Sequence, residues 1–169
     1  LLNTYLETFA ASDDVCLVIK DFGGKTFYAG QTLAEVIEQA QAQPNAPEIV
    51  YLDDDLPPEQ VAGLYTACDC LVHPYRGEGF GLPVLEAMAC GLPVICTGGG
   101  STDDFATDDY AYRLPATRHS TKPWIGQMLL VKEGWLLEPD TDALADRMRW
   151  VFKNRDKARA KGRRASAHA

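Results

Sequence analysis

No apolar run in the sequence approaches the roughly 20 residues that a membrane-spanning helix needs. The opening Leu1-Leu2-Asn3-Thr4 has no basic leader and no initiator methionine. The first absence argues against a membrane span. The other two suggest a cytoplasmic protein without a secretory signal, read from a piece of a longer chain. Cysteine is scarce and poorly spaced for a staple. Cys16, Cys68, Cys70, Cys90 and Cys96 are odd in number and fit no zinc pattern, and four of them sit in apolar runs. Reduced core thiols are the expectation, without a disulfide framework or a structural metal. Cys68-Asp69-Cys70 alone is weak evidence for a metal.

Positive charge is missing from most of the chain. Residues 1–146 hold 7 basic and 23 acidic side chains, net −16, whereas residues 147–169 hold 9 basic and 1 acidic, net +8. An acidic body argues against nucleic acid as the main ligand, because phosphate contacts need clustered Lys and Arg. The basic end reads as a solvated helix face or one docked on an acidic partner domain, and it leaves a peripheral membrane contact open.

What is present is a regular alternation. The run from Val15 to Ile19 is β-branched and apolar, so it predicts a buried strand. Residues 31–43 carry Leu33, Val36, Ile37 and Ala40 at helical spacing, and Pro44 and Pro47 stop that helix. Glu48–Leu52 is a second strand, Glu59–Cys68 a helix, and Cys70–His73 a third strand. Pro83 suits the first turn of a helix ending near Cys90, with Gly91 in the left-handed position after it. Leu92–Thr97 is a further strand, and Gly98-Gly99-Gly100 a turn. Ser101 with Asp104 resembles a capping box. Residues 108–132 give no clear pattern. A long helix over Thr141–Lys153 follows Pro139-Asp140, and the end of the chain is expected to fray. Five-residue apolar strands alternating with helices imply an α/β fold: a Rossmann-like parallel sheet with helices on both faces. Ligands of such sheets bind at the carboxyl ends of the strands, where the glycine-rich stretch lies.

That stretch reads His73-Pro74-Tyr75-Arg76-Gly77-Glu78-Gly79-Phe80-Gly81-Leu82-Pro83-Val84-Leu85-Glu86. Glu78 and Glu86 cannot share one regular helix, because Gly79, Gly81 and Pro83 intervene. Glu78 is expected on a loop and Glu86 within about the first turn of the helix. Main-chain N–H groups near Phe80 to Leu82 would face outward at the helix start, where an anion is favoured. Gly79 and Gly81 would let a ligand approach the main chain. Each carboxylate can accept hydrogen bonds from vicinal hydroxyls of a ribose or hexose.

Continuing through Ala87-Met88-Ala89-Cys90-Gly91-Leu92-Pro93-Val94-Ile95, the string resembles the E-x7-E motif of GT-B glycosyltransferases of the group 1 family (glycosyltransferase family 4-like). The resemblance extends over about residues 12–155 and is most specific over 69–104. It implies that residues 1–155 form the C-terminal, nucleotide-sugar-binding half of a GT-B fold, with 156–169 a frayed or disordered basic tail. By resemblance, Glu78 would hold the transferred sugar as the candidate catalytic residue, and Glu86 would bind the ribose. Main-chain groups of Phe80, Gly81 and Leu82 would meet sugar and diphosphate beside Gly79, and Gly99 of the glycine turn would line the same seat. The family places an Arg and a Lys early in this domain, on a segment expected before residue 1. Lys20 is the substitute suggested here for the diphosphate, with Lys25 nearby. Arg76 is a candidate for phosphate or base. The base is expected against Tyr51, Leu52 and Leu56.

The implied activity is retaining hexosyl transfer from a nucleoside diphosphate sugar to a hydroxyl acceptor, with no metal and no cofactor beyond the donor. The acceptor would sit on an N-terminal domain, so this fragment alone is expected to be inactive. A binding module without catalysis and a GT-B-like epimerase are the alternatives. Asp53-Asp54-Asp55 after a strand also resembles the D-x-D metal signature of the other glycosyltransferase fold. His73, ahead of the motif, is a polarising or basic group, or a capped structural histidine.

Overall fold

The computed structural model describes residues 1–21, 33–121, 124–125, 128–129, 131 and 134–169. Lys25 and the first two residues of the helix read over 31–43 lie outside them. The chain separates into two compact units, residues 2–61 and residues 62–169 together with Leu1.

In the smaller unit, helix α1 (Leu2–Thr8) precedes strand β1 (Cys16–Lys20), helix α2 (Ala34–Gln41) and strand β2 (Glu48–Leu52). β1 and β2 pair in parallel, Cys16 opposite Glu48 and Lys20 opposite Leu52. Tyr5, Ile37, Ala40 and Ile49 form the buried core. Ile37 and Ala40 are the helical-spacing residues that face it, while Leu33 and Val36 point outward. Helix α3 (Pro58–Ala67) carries the boundary between the units.

The larger unit is built on three parallel strands in the order β3 (Leu71–His73), β4 (Val94–Thr97), β5 (Tyr112–Leu114). Every residue of β4 is buried, as a central parallel strand should be. Helix α4 (Leu82–Ala89) links β3 to β4 and buries Val84, Ala87 and Met88. Its length is set by Pro83 near the start and by Gly91, in the left-handed region with φ 76°, just past the end. A single 3-10 turn follows β4 over Ser101–Asp104.

The residues without a clear pattern hold antiparallel pairs. Strand β6 (Ala116–Ser120) pairs with β9 (Trp135–Pro139), and β7 (Trp124–Ile125) pairs with β8 (Met128–Leu129). Helix α5 (Thr141–Lys153) then starts on the Asp140 carboxylate, which accepts the amides of Asp142 and Ala143.

The end of the chain departs from expectation. Residues read as a frayed tail form helix α6 (Arg155–Ser166), which buries Ala158, Gly162 and Ala165 at helical spacing. A side chain at Gly162 would run into the backbone of Gly91, Leu92 and Pro93. The glycine therefore lets α6 lie directly on the turn between α4 and β4. The Ser166 hydroxyl donates to the Ala89 carbonyl at 2.9 Å, and Arg159 pairs with Asp69 at 2.8 Å. Stripes of small residues do not register as an apolar face, which is why the composition misleads here. Among the described residues, no helix is long and apolar enough to cross a membrane.

Candidate functional site

The larger unit brings most of the sequence-predicted residues to one place. β3 ends at His73, and the chain then turns through residues 74–81 into α4. Gly81 precedes the helix with φ 95°, a left-handed backbone that glycine adopts without strain. No side chain among the described residues caps the α4 start. Pro83 has no N–H and the Val84 amide donates to the Gly81 carbonyl at 2.9 Å, so in this first turn it is the Leu82 amide that is left to whatever lies in front of it.

Glu78 lies on this loop, as expected. Its Oε1 accepts the amide N–H of Gly79 at 2.9 Å and that of Phe80 at 3.4 Å. Its Oε2 lies 3.4 Å from His73 Nε2. Burial pushes the Glu78 carboxyl up, but the hydrogen bonds from His73 and from the Phe80, Gly79 and Gly81 amides outweigh it and hold its pKa below the usual value. Two consecutive amides thus converge on one anionic oxygen. His73 touches the proposed catalytic carboxylate directly.

Glu86 is the fifth residue of α4, just past the first turn of a helix that begins at Leu82. Its Oε2 accepts the phenol O–H of Tyr65 at 3.1 Å. Burial and then this bond push the Tyr65 phenol up. Phe80 and Leu82 are more than half exposed, and Phe80 stacks at 5.5 Å on Phe105. Gly79 has nothing within 4 Å of where a side chain would stand.

Gly99 has φ 87°, and both oxygens of Asp103 accept its amide, at 3.1 and 3.0 Å. The expected capping box is therefore displaced by one residue. Asp103, not Asp104, reaches back, and it does so to the glycine turn. Arg113 of β5 grips the same carboxylate at 2.6 Å.

Arg76 is paired with Glu138 of β9 at 2.8 Å, an ion pair with both side chains about half exposed. Its carbonyl accepts the Leu137 amide at 2.7 Å. Leu136 packs where a side chain on Gly77 would stand, and Leu137 does so beside Gly99. Strand β9 thus buttresses both glycine segments. The sequence reading missed it, although an apolar pair just ahead of a capped helix was available as a signal. Tyr75, Thr102, Asp103 and Arg113 were also missed as site-building residues.

Lys20 ends β1 in the smaller unit, where its ammonium donates to the Asp21 carbonyl. Tyr51, whose phenol donates to Asp21 at 2.7 Å, and Leu52 belong to that unit too, as does Leu56. Asp53, Asp54 and Asp55 lie exposed after β2. Among the described residues no group of three His, Cys, Asp or Glu is arranged to hold a metal ion. The five cysteines are thiols rather than disulfides, and Cys16 is exposed rather than in the core. Burial pushes the Cys70 thiol up to about 12 and the Cys96 thiol up to about 11, so neither is a ready nucleophile.

Comparison with known proteins adds a family to this geometry. The family described as "Glycosyl transferases group 1" matches residues 3–168. The O-antigen chain mannosyltransferase B of Escherichia coli is 45% identical over 53 residues, covering 31% of this chain and 14% of the relative. The D-inositol 3-phosphate glycosyltransferase of Rhodococcus erythropolis is 31% identical over 131 residues, covering 76% of this chain and 28% of the relative. Among solved structures, Anabaena HepE in complex with UDP and glucose superposes with a TM-score of 0.69 at 16% identity, over 98% of this chain and 38% of that one. The chain thus spans less than a third of the length of the two curated relatives named here.

Proposed function

Because the chain belongs to the group 1 glycosyl transferases and is a GT-B domain, we propose that residues 73–104 seat a nucleoside diphosphate sugar for hexosyl transfer to a hydroxyl acceptor, with retention at the anomeric carbon. One observation carries this reading. The Gly79 and Phe80 amides converge on a single carboxylate oxygen beside an uncapped helix start, and the space in front of Gly79 is open. A backbone that already holds one anionic oxygen is built to hold another.

In the proposed reaction the bond between the anomeric carbon and the diphosphate oxygen breaks, the acceptor oxygen bonds to that carbon from the same face, and the acceptor's proton passes to the departing diphosphate. Charge grows on the departing diphosphate. Once the bound donor has displaced Glu78 from them, the amides of Phe80 and Gly81, with that of Leu82, would face this charge and need not turn further as it develops. Glu78 leaves its own loop amides to the ligand and turns to the sugar hydroxyls, which it orients. Glu86 exchanges the Tyr65 hydroxyl for the ribose hydroxyls. Gly99 lines the seat from the other side. Arg76 would exchange Glu138 for a phosphate. The acceptor belongs to a separate N-terminal domain, and the exposed basic side chains of α5 and α6 offer a contact for an anionic surface.

Thermal unfolding of this chain in the presence of UDP, GDP, ADP and their sugars tests the reading. One base should raise the melting temperature, by several degrees at 100-fold excess over its Kd. No shift with any of them, at millimolar concentration, would remove the seat. The product's anomeric configuration, read by NMR from the full-length protein, tests retention.

A further inference from the structure

Beneath the proposed seat lies a set of buried hydroxyls. The Tyr75 side chain runs under the Gly98–Gly100 turn, and a side chain on Gly100 would come to 2.5 Å from its phenol oxygen. That oxygen shares a hydrogen bond of 2.8 Å with Thr102 Oγ1. The Thr102 methyl, in turn, presses on the position where a side chain on Gly81 would stand. Thr97, at the end of β4, donates its hydroxyl to the Tyr75 carbonyl at 2.6 Å. Thr97 and Thr102 are wholly buried, and Tyr75 nearly so. The pair therefore spans from under one glycine segment to under the other.

We propose that the Tyr75–Thr102 hydroxyl pair fixes the spacing between the Glu78–Gly81 loop and the Gly98–Gly100 turn, making both positioning residues for the nucleoside diphosphate sugar. The inference rests on the donor seat assigned above. Two physical points support it. A buried hydroxyl pair with its hydrogen bond made holds the groups around it in one arrangement. The two segments it joins are the two whose main chain would face the ligand. Both approach Tyr75 and Thr102 through glycines, so the brace acts on the backbone directly.

Three variants separate the hydroxyl from the packing. Tyr75→Phe keeps the ring and removes the O–H. Thr102→Val keeps the methyl over Gly81 and removes the O–H. Thr102→Ser keeps the O–H and removes the methyl. Calorimetric titration with UDP-glucose, or with whichever nucleotide sugar the thermal screen selects, should show about fivefold weaker binding for Tyr75→Phe and for Thr102→Val. Thr102→Ser should stay within about twofold. Lower melting temperatures with unchanged affinity in both hydroxyl-lacking variants would overturn the proposal, since the pair would then serve stability alone. Amide hydrogen exchange without ligand gives a second readout. Loss of either hydroxyl should speed exchange in residues 79–81 and in residues 98–100 together. Faster exchange confined to one segment would also overturn it. If the parent chain binds no nucleotide sugar, the donor seat fails, and the exchange data alone decide whether the two segments are coupled.

Discussion

The loop before α4 and the helix α6 make opposite use of a missing side chain. At Gly162 the space is filled by the protein itself, with the backbone of residues 91–93 lying against the helix. At Gly79 the space is empty, and the backbone angle there is one that other residues adopt. The fold of the chain accounts for a glycine at 162. It does not account for one at 79, where the open room suits the proposed donor seat. Charge follows the same division. On α6, Arg159 reaches across to Asp69 of another element, whereas Glu78 folds back onto the amides of its own loop and His73.

The comparison can be broken most sharply at position 162. Gly162→Ala should cost about 3 kcal/mol in urea unfolding, as overpacking against backbone does, while the folded fraction keeps its nucleotide affinity. Equal stability would mean that α6 does not need the close approach. Gly79→Ala should do the reverse. Donor affinity should fall roughly tenfold by titration, with stability changed by less than about 0.5 kcal/mol. A stability loss as large as that at 162 would erase the distinction.

Glu78→Gln sharpens it through pH. The folded carboxyl titrates below its ordinary range, so its contribution is complete above the unfolded value of about 4.3 and is lost as pH falls through the lower folded value. The melting-temperature gap between the parent and Glu78→Gln should therefore be widest near neutrality and close on acidification. A gap that widened toward acid would reverse the sign. The smallest effect is expected for Arg159→Ala, at most about 0.5 kcal/mol, because both partners are half exposed and the pair is screened by salt.

Where the sequence was legible, a short-range rule was at work. Strand β2 falls on the Glu48–Leu52 reading, and α5 on Thr141–Lys153, because apolar runs and the Asp140 cap act within a few residues. Glu78, on a glycine-rich loop ahead of a proline-started helix, is found for the same reason. What stayed hidden depends on partners far along the chain. β9 matters because Leu137 donates to Arg76, 61 residues earlier (137 − 76). Tyr75 and Thr102 look like ordinary residues until folding sets their hydroxyls side by side. The α6 error has another cause. Twelve residues rich in Lys and Arg read as solvated, and the alanine and glycine stripe carries too little hydrophobicity to announce a packed face.

The seating of α6 on residues 91–93 also bears on the order of events during synthesis. The turn that closes α4 leaves the ribosome some seventy residues before the helix that covers it. Until residues 155–166 arrive, the backbone around Gly91 and the end of α4 lack the cover of α6. Residues 155–166 therefore complete the larger unit after the rest of it has been made, and a chain stalled short of them would be the form that a protease or chaperone meets first.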